Sequence, residues 1–383
     1  MRVLVFGAGA IGSFLGHRLA TAGHDVTLIG RPAFVRAVQE NGLILEEQPS
    51  NPVVTTSVVA HREGTTRAAT TSSSEHRHAV YPASAQSIGE LGTDQRGWDL
   101  VLLTVKVYDT VDAAQALGHC LTPQTPVLIV QNGVGGEELA REALPDVPLI
   151  SGVLTLSVRV VAPGHVRLET SSGGLSLAPT QAGQDVSPWS RLFAAAGLRM
   201  ATYADYRAMK WTKLLLNIQA NAIPAILDMV PGDVYAHPAL FAAERKAFLE
   251  ALAVMQALRL RVVSFPNYPV PLLAWAMRTW PTALLRPLLT RLVASGRGDK
   301  KPSLQMDLAG GRQHSEALYL NGAVVSHADR LGVPAPLNCV LLDTLLGIAA
   351  GRLPWDEFRG QPAKLLAALG WKGKQDTGIR GAA

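Results

Sequence analysis

The chain opens on a pattern that few folds can accommodate. Val3-Leu4-Val5-Phe6 is an uninterrupted apolar run of strand type, followed at once by Gly7-Ala8-Gly9-Ala10-Ile11-Gly12. A helical pattern follows through Phe14, Leu15, Leu19 and Ala20, is broken at Gly23-His24, and gives way to a second apolar run, Val26-Thr27-Leu28-Ile29. Strand, GxGxxG turn, helix and strand within about 30 residues is the context that turns a weak motif into a strong one. Such glycines permit the tight turn and let a pyrophosphate approach the backbone at a helix N-terminus, where free N–H groups and the helix dipole favour anions. The apolar start is not read as a signal peptide, because Gly7, Gly9, Gly12 and Gly16 interrupt it and no small-residue cleavage pattern follows.

After the second strand stands Gly30-Arg31, where an NAD-binding chain usually offers Asp or Glu to the ribose hydroxyls. A guanidinium there suits a 2'-phosphate, with Arg36 one helical turn on, so the expected cofactor is NADP(H) rather than NAD or FAD. The competing reading is an ordinary surface arginine. Two further buried strands, Leu100 to Val105 and Val127 to Val130, end in Lys106 and in Gln131-Asn132-Gly133-Val134-Gly135-Gly136. In a parallel doubly wound sheet, ligands sit beyond the carboxyl ends of the strands, where Lys106 and Asn132 fall.

The 383 residues, 48% hydrophobic, are long enough for two globular domains. The net charge of +5 is scattered rather than blocked, which fits small anionic ligands and no nucleic-acid partner. Cys120 and Cys339 lack paired spacing and fit a reducing, cytoplasmic setting. Arginines and prolines interrupt the apolar stretch 270–294, so no membrane span or membrane partner is expected. Residues 60–96 are rich in Ser and Thr without period and read as a surface insertion; His61, His76 and His78 lack ligand spacing, so no metal is expected.

From 149 to 178, short alternating strands with Pro163-Gly164 and Gly173-Gly174 turns predict antiparallel extension of the sheet. Beyond Tyr206 helices are predicted over 206–228, 238–260, 272–294, 313–331 and 337–349. The fold class is therefore α/β: an N-terminal Rossmann-type doubly wound sheet (1–204), an all-helical C-terminal domain (205–370) and a disordered tail (371–383). In the first of these helices Lys213, Asn217 and Asn221 fall at i, i+4 and i+8, drifting only about 80° around the axis. Trp211, Leu214, Leu215, Leu216 and Ile218 cover the other faces, so the polar stripe is either a ligand site or a polar network capped by a neighbouring domain.

Taken in order, Gly7 to Gly12, Thr104-Val105-Lys106, Gln131-Asn132-Gly133-Val134-Gly135, Lys210-Trp211-Thr212-Lys213 with Asn217 and Asn221, and Glu316-Ala317-Leu318-Tyr319-Leu320-Asn321-Gly322 resemble the ketopantoate reductase (2-dehydropantoate 2-reductase) family over most of the chain. The resemblance implies an NADPH-dependent oxidoreductase that reduces ketopantoate to pantoate on the way to pantothenate and coenzyme A. It implies that Lys213 is the proton donor, that Glu316 pairs with that lysine and the substrate hydroxyl, and that Asn217, Asn221 and Ser303 bind substrate. It also places Asn132 and Lys106 near the nicotinamide and the cofactor, and Arg31 on the 2'-phosphate. The residue type suits the role, since an ammonium drawn out of water gives up its proton more readily.

Three features depart from the family pattern: the 60–96 insertion, one extra residue between Asp307 and Glu316, and a long apolar segment from Phe265 to Lys301 with Trp275 and Trp280. That segment reads either as a lid selecting a bulkier 2-keto acid or as a packed hairpin or homodimer surface. Two other activities stay open, a reductase of a bulkier 2-keto acid and an NADP-binding regulator without turnover; Lys213 and Glu316 speak against the second.

Overall fold

The computed structural model describes residues 1–47, 76–80, 84–92, 96–170, 172–297, 301–311 and 315–371. Among the described residues twelve strands are formed: β1 (Arg2–Phe6), β2 (Asp25–Ile29), β3 (Leu43–Glu47), β4 (His76–Val80), β5 (Ser84–Gln86), β6 (Leu100–Leu103), β7 (Val127–Val130), β8 (Leu149–Leu154), β9 (Val158–Ala162), β10 (His165–Leu168), β11 (Leu175–Pro179) and β12 (Met200–Thr202). Eight of them make one sheet in the order β5-β2-β1-β6-β7-β8-β11-β12. From β5 to β8 every neighbour is parallel. The chain leaves β1 in one direction through β2 and returns to its other side at β6, which makes the β1/β6 junction a topological switch point.

Apolar side chains on both faces explain why these strands are continuous hydrophobic runs. Val3 and Val5 pack with Phe14, Leu15 and Leu19 of helix Ala10–Thr21, while Leu4 and Phe6 face Ala113, Leu117 and Ala140 on the other side. The antiparallel extension expected over 149–178 is only partly formed. β8 still runs parallel to β7, and only β11 reverses against β8. β9 and β10 leave this sheet altogether and join β3 and β4 in a separate four-stranded sheet. The 60–96 segment also differs from the expectation of a surface insertion without period: its residues 60–75, 81–83 and 93–95 lie outside the described residues, but β4 pairs with β3 and β5 forms the sheet edge beside β2.

The remainder of the chain is helical, with Pro238–Ala257 as the long central helix. Helix Tyr206–Ile218 starts at Asp205, whose carboxylate accepts from the Arg207 and Ala208 amides. Its Trp211, Leu214, Leu215 and Ile218 are buried in the helical core, each on the order of 2 kcal/mol of transfer free energy. The expected single helix over 206–228 is broken: Ala220 has φ +50° and a second helix runs Ala222–Leu227. Pro224 is the physical reason, because a proline is tolerated in a first turn but removes a hydrogen bond and clashes in a helix interior. Buried Glu244 closes the break by accepting the Ala220 amide at 2.9 Å, and Tyr235 donates to Gln219 at 2.6 Å. The expected helix over 313–331 likewise begins only at Asn321, after a tight turn at Glu316–Tyr319.

The 272–294 expectation resolves into a hairpin of helices Val270–Thr279 and Thr282–Arg297, broken at Trp280-Pro281. Arg245 of the central helix clips the corner through the Met277 and Trp280 carbonyls and the Thr282 hydroxyl, at 2.7, 2.9 and 2.8 Å. Arg286 and Thr290 reach the carbonyls of Ala236 and Tyr235. The hairpin is thus pinned to the central helix and to helix Pro231–Ala236, which is the packed-hairpin reading. Trp371 seats on the helical core, while the rest of the expected tail lies outside the described residues. Among the described residues no helix is long and apolar enough to cross a membrane, and no group of His, Cys, Asp and Glu could hold a metal.

Helix Ala10–Thr21 buries one histidine. His17 is 3% exposed, bonded through Nε2 to the His78 carbonyl at 3.1 Å and through Nδ1 to the Thr21 hydroxyl at 3.4 Å. Burial is the main cause that lowers its pKa from 6.5 to about 4, against the opposing His78 carbonyl. The unfolded chain therefore binds a proton below pH 6.5 that the folded chain refuses until about pH 4. This group's contribution is complete above pH 6.5, is lost as pH falls toward about 4, and is level below that. In urea unfolding, His17→Gln should flatten the stability profile across this window by up to ~3 kcal/mol. Parallel profiles for the two proteins would show that His17 is not the group responsible.

Candidate active site

The loops that leave β1, β2, β6 and β7 converge on one edge because the strands are parallel. At the first, Gly7 has φ +108°, and a Cβ there would lie 2.6 Å from the Val105 nitrogen. At Gly12 a Cβ would meet the Gly7 carbonyl at 2.3 Å and the Thr104 hydroxyl at 2.5 Å. Thr104 donates to the Gly7 carbonyl at 2.8 Å and so ties the glycine turn to β6. Gly9 is different, since a Cβ there would meet nothing within 4 Å and its φ is −80°. Neither backbone nor packing requires glycine at that position, which leaves room for a close-lying ligand. Gly9 is also the N-cap of helix Ala10–Thr21, with no side-chain cap and no acidic residue in the first turn. Gly7, Ala8, Gly9, Ala10, Ile11 and Gly12 thus form a cradle that fits a dinucleotide pyrophosphate.

Arg31 follows β2 as the exposed N-cap of helix Pro32–Asn41, which has no acidic residue in its first turn. Arg36 is exposed one turn later. The chemistry at this end of β2 is cationic, which suits a phosphate and not a pair of ribose hydroxyls.

The next two loops meet the helical domain. Lys106, after β6, is bound through Nζ to Glu316 Oε2 at 2.5 Å, with Asp307 Oδ2 at 4.0 Å. Glu316 is 3% exposed and sits in the turn that seats against the β7 loop. Gly133, at φ +88°, leaves the space for that turn: a Cβ would lie 2.6 Å from the Tyr319 carbonyl, which accepts the Val134 amide at 3.0 Å. Gln131 ties the two loops together by donating to the Val105 carbonyl at 2.9 Å.

Asn132 joins the loop to the helix that carries Lys213: Asn217 Nδ2 donates to Asn132 Oδ1 at 3.3 Å. Asn221 Nδ2 donates in turn to the Asn217 carbonyl at 2.9 Å, and its Oδ1 accepts the Leu304 amide at 3.3 Å, next to Ser303 at the start of helix Ser303–Ala309. Asn132, Asn217, Asn221 and the 303–304 turn are therefore one hydrogen-bonded chain. Lys213 lies one helical turn before Asn217, on the same face.

Three details differ from the sequence reading. Asn221 reaches the site across the helix break and not along a continuous stripe. The ion pair formed by Glu316 is with Lys106. The fully buried ammonium of this helix is Lys210, at 2% exposed, whereas Lys213 is only partly buried. Sequence reading missed Lys210 and the acidic neighbours Glu137 and Asp307 that stand beside Lys210 and Lys106, although Lys210 shares a helix face with Lys213 at i+3 and could have been found by that spacing.

Comparison with known proteins gives the family. Residues 3–181 match the family described as ketopantoate reductase PanE/ApbA, and residues 205–349 match its C-terminal region. The chain is 28% identical over 347 residues to a 2-dehydropantoate 2-reductase of Pyrococcus horikoshii, covering 89% of this chain and 95% of that one. It is also 28% identical to the 2-dehydropantoate 2-reductase of Halobacterium salinarum, covering 90% and 97%. Among solved structures it resembles a PanE/ApbA family ketopantoate reductase of Ralstonia eutropha, with a TM-score of 0.72 at 30% identity over 92% of this chain and 99% of that one. A D-mandelate dehydrogenase solved with NADH and anilino(oxo)acetate shares the fold, with a TM-score of 0.72 at 19% identity over 92% and 99%. With residues 3–181 and 205–349 both matched, this chain belongs to the ketopantoate reductase PanE/ApbA family.

Proposed function

We propose that this protein reduces ketopantoate to pantoate with NADPH, using Lys213 as the proton donor. The observation that carries the reading is the convergence of the Asn132–Asn217–Asn221 chain, beside Lys213, on the same sheet edge as the glycine cradle. A 2-keto acid needs three things to be reduced: a hydride at C2, a proton at the C2 oxygen, and donors that hold its carboxylate and hydroxyl. Bound NADPH supplies the hydride. Lys213 gives its proton to the developing alkoxide, in line with the rate factor of about 10² to 10⁴ typical of a general acid. Asn217, Asn221 and Ser303 orient the substrate. Glu316, held by Lys106, accepts a hydrogen bond from the substrate hydroxyl. The cradle holds the pyrophosphate, Arg31 holds the 2'-phosphate with Arg36 beside it, and Asn132 and Lys106 border the nicotinamide. Turnover by a bulkier 2-keto acid is the second reading; its structural basis would have been a lid, and the 270–297 hairpin is instead bound to the central helix through Arg245 and to the Ala236 carbonyl through Arg286.

Oxidation of NADPH by purified protein in the presence of ketopantoate tests the proposal, with larger 2-keto acids assayed in parallel. Lys213→Ala should lower kcat by about 10² to 10⁴ while NADPH binding, followed by fluorescence, is retained. Unchanged turnover would remove Lys213 from the proton-donor role, and a higher kcat/KM for a larger acid would reassign the substrate. Arg31→Ala should weaken NADPH far more than NADH, because only the former loses a charge-assisted partner. Equal weakening of both cofactors would rule out discrimination by Arg31.

A further inference from the structure

Lys210 is the buried cation that the proposed chemistry leaves unused. It is 2% exposed; its Nζ donates to the Gln131 carbonyl at 2.8 Å and lies 3.1 Å from Glu137 Oε1, itself 3% exposed. Glu137 is held from the other side by Ser151 of β8, whose hydroxyl donates at 2.6 Å. As a stabilising device this is a poor choice, since desolvating an ion pair offsets most of its attraction and an apolar pair of equal volume commonly does as well. Its geometry gives it another use. The Gln131 carbonyl belongs to the peptide unit that leads into Asn132, so the ammonium fixes the plane from which Asn132 departs. Seven residues after Lys210 on the same helix, Asn217 binds the Asn132 side chain at 3.3 Å. The helix therefore grips the β7 loop at two points, and Lys213 lies between them at i+3 from Lys210 and i−4 from Asn217.

We infer that Lys210 is a positioning residue: through the Gln131 carbonyl it holds the nicotinamide-side loop in register with the helix that presents Lys213. Glu137 supplies the counter-charge that lets an ammonium stand there, and the Gln131 contact is what sets the register. A small error in register matters because misplacement by about 1 Å can cost a reaction about 10² in rate.

The kinetic part of the test rests on the proposed reductase activity; the exchange part does not. Three variants are compared with wild type: Lys210→Met, Glu137→Gln, and the double variant Lys210→Met/Glu137→Gln. If Lys210→Met does not fold, because it leaves Glu137 buried and unpaired, the double variant carries the test. In the double variant kcat should fall by about 10- to 100-fold. KM for ketopantoate and the Kd for NADPH should stay within about threefold, and the deuterium isotope effect on kcat with 4-deuterated NADPH should rise. Glu137→Gln alone leaves an amide oxygen beside Lys210, whose nitrogen, charged or neutral, still donates to the Gln131 carbonyl, and it should keep kcat within about threefold of wild type. Amide hydrogen exchange over residues 131–136 should accelerate about tenfold or more in the double variant and remain near wild type in Glu137→Gln. A folded double variant with wild-type kcat, isotope effect and loop exchange would overturn the inference. So would a Glu137→Gln variant that loses as much kcat as the double. Failure of wild type to reduce ketopantoate would overturn the proposed function, and loop exchange would then decide the role of Lys210 by itself.

Discussion

Parallel strands are the constraint from which the rest of this site follows. Because β1, β2, β6 and β7 run the same way, the chain must leave each of them at the same edge. Four loops with unrelated sequences are thereby collected: the glycine cradle, Arg31, Lys106 and Asn132. None of them makes a site alone. The cradle lacks an acid or a base, and Lys106 and Asn132 are loop residues until something faces them. Burial on both faces of the sheet is what keeps this edge fixed, since Leu4, Val5, Leu102 and Leu128 are all inaccessible to solvent.

What faces the edge is the helical domain; an apolar cluster of Val153 and Ala178 with Met209, Phe265 and Val270 holds one side of the boundary, and polar contacts close it at the site. Lys106 binds Glu316, Asn132 binds Asn217, Lys210 binds Gln131 and Glu137, and the Tyr319 carbonyl receives the Val134 amide. At the site itself polar contacts serve better than the apolar seam beside it. Hydrogen bonds fix distance and direction, whereas apolar burial is non-directional and fixes only proximity. The hydrophobic work is done one layer behind, where Trp211, Leu214 and Leu215 bury the back of the helix whose front carries Lys213 and Asn217.

The helix break at Gln219 and Ala220 shows how the site depends on tertiary partners. A chain in open solution gains nothing from placing a non-glycine residue at φ +50°. Here Glu244 and Tyr235, both buried, receive and give the hydrogen bonds that the break would otherwise leave unmade. The break turns Asn221 so that its side chain reaches back to the Asn217 carbonyl and forward to the Leu304 amide, drawing the Ser303 turn into the same hydrogen-bonded chain.

The sequence by itself determined the elements whose signals are local. The GxGxxG turn between two apolar runs, Arg31 after the second strand, Lys106 and Asn132 at strand ends, and the spacing of Lys213 and Asn217 are all set by neighbours within a turn or two, so they can be read from periodicity and turn chemistry. Pro224 and Pro281 carry a local signal for the breaks at 219–220 and 280–281, which the expected single helices over 206–228 and 272–294 ran through. Only the tertiary structure decided which charge meets which. Glu316 lies 210 positions from Lys106 and Gln131 lies 79 from Lys210, and no local pattern encodes such a pairing. The separate sheet of β4, β3, β10 and β9 was hidden for the same reason, since strand partners far apart in sequence are chosen by packing and not by propensity.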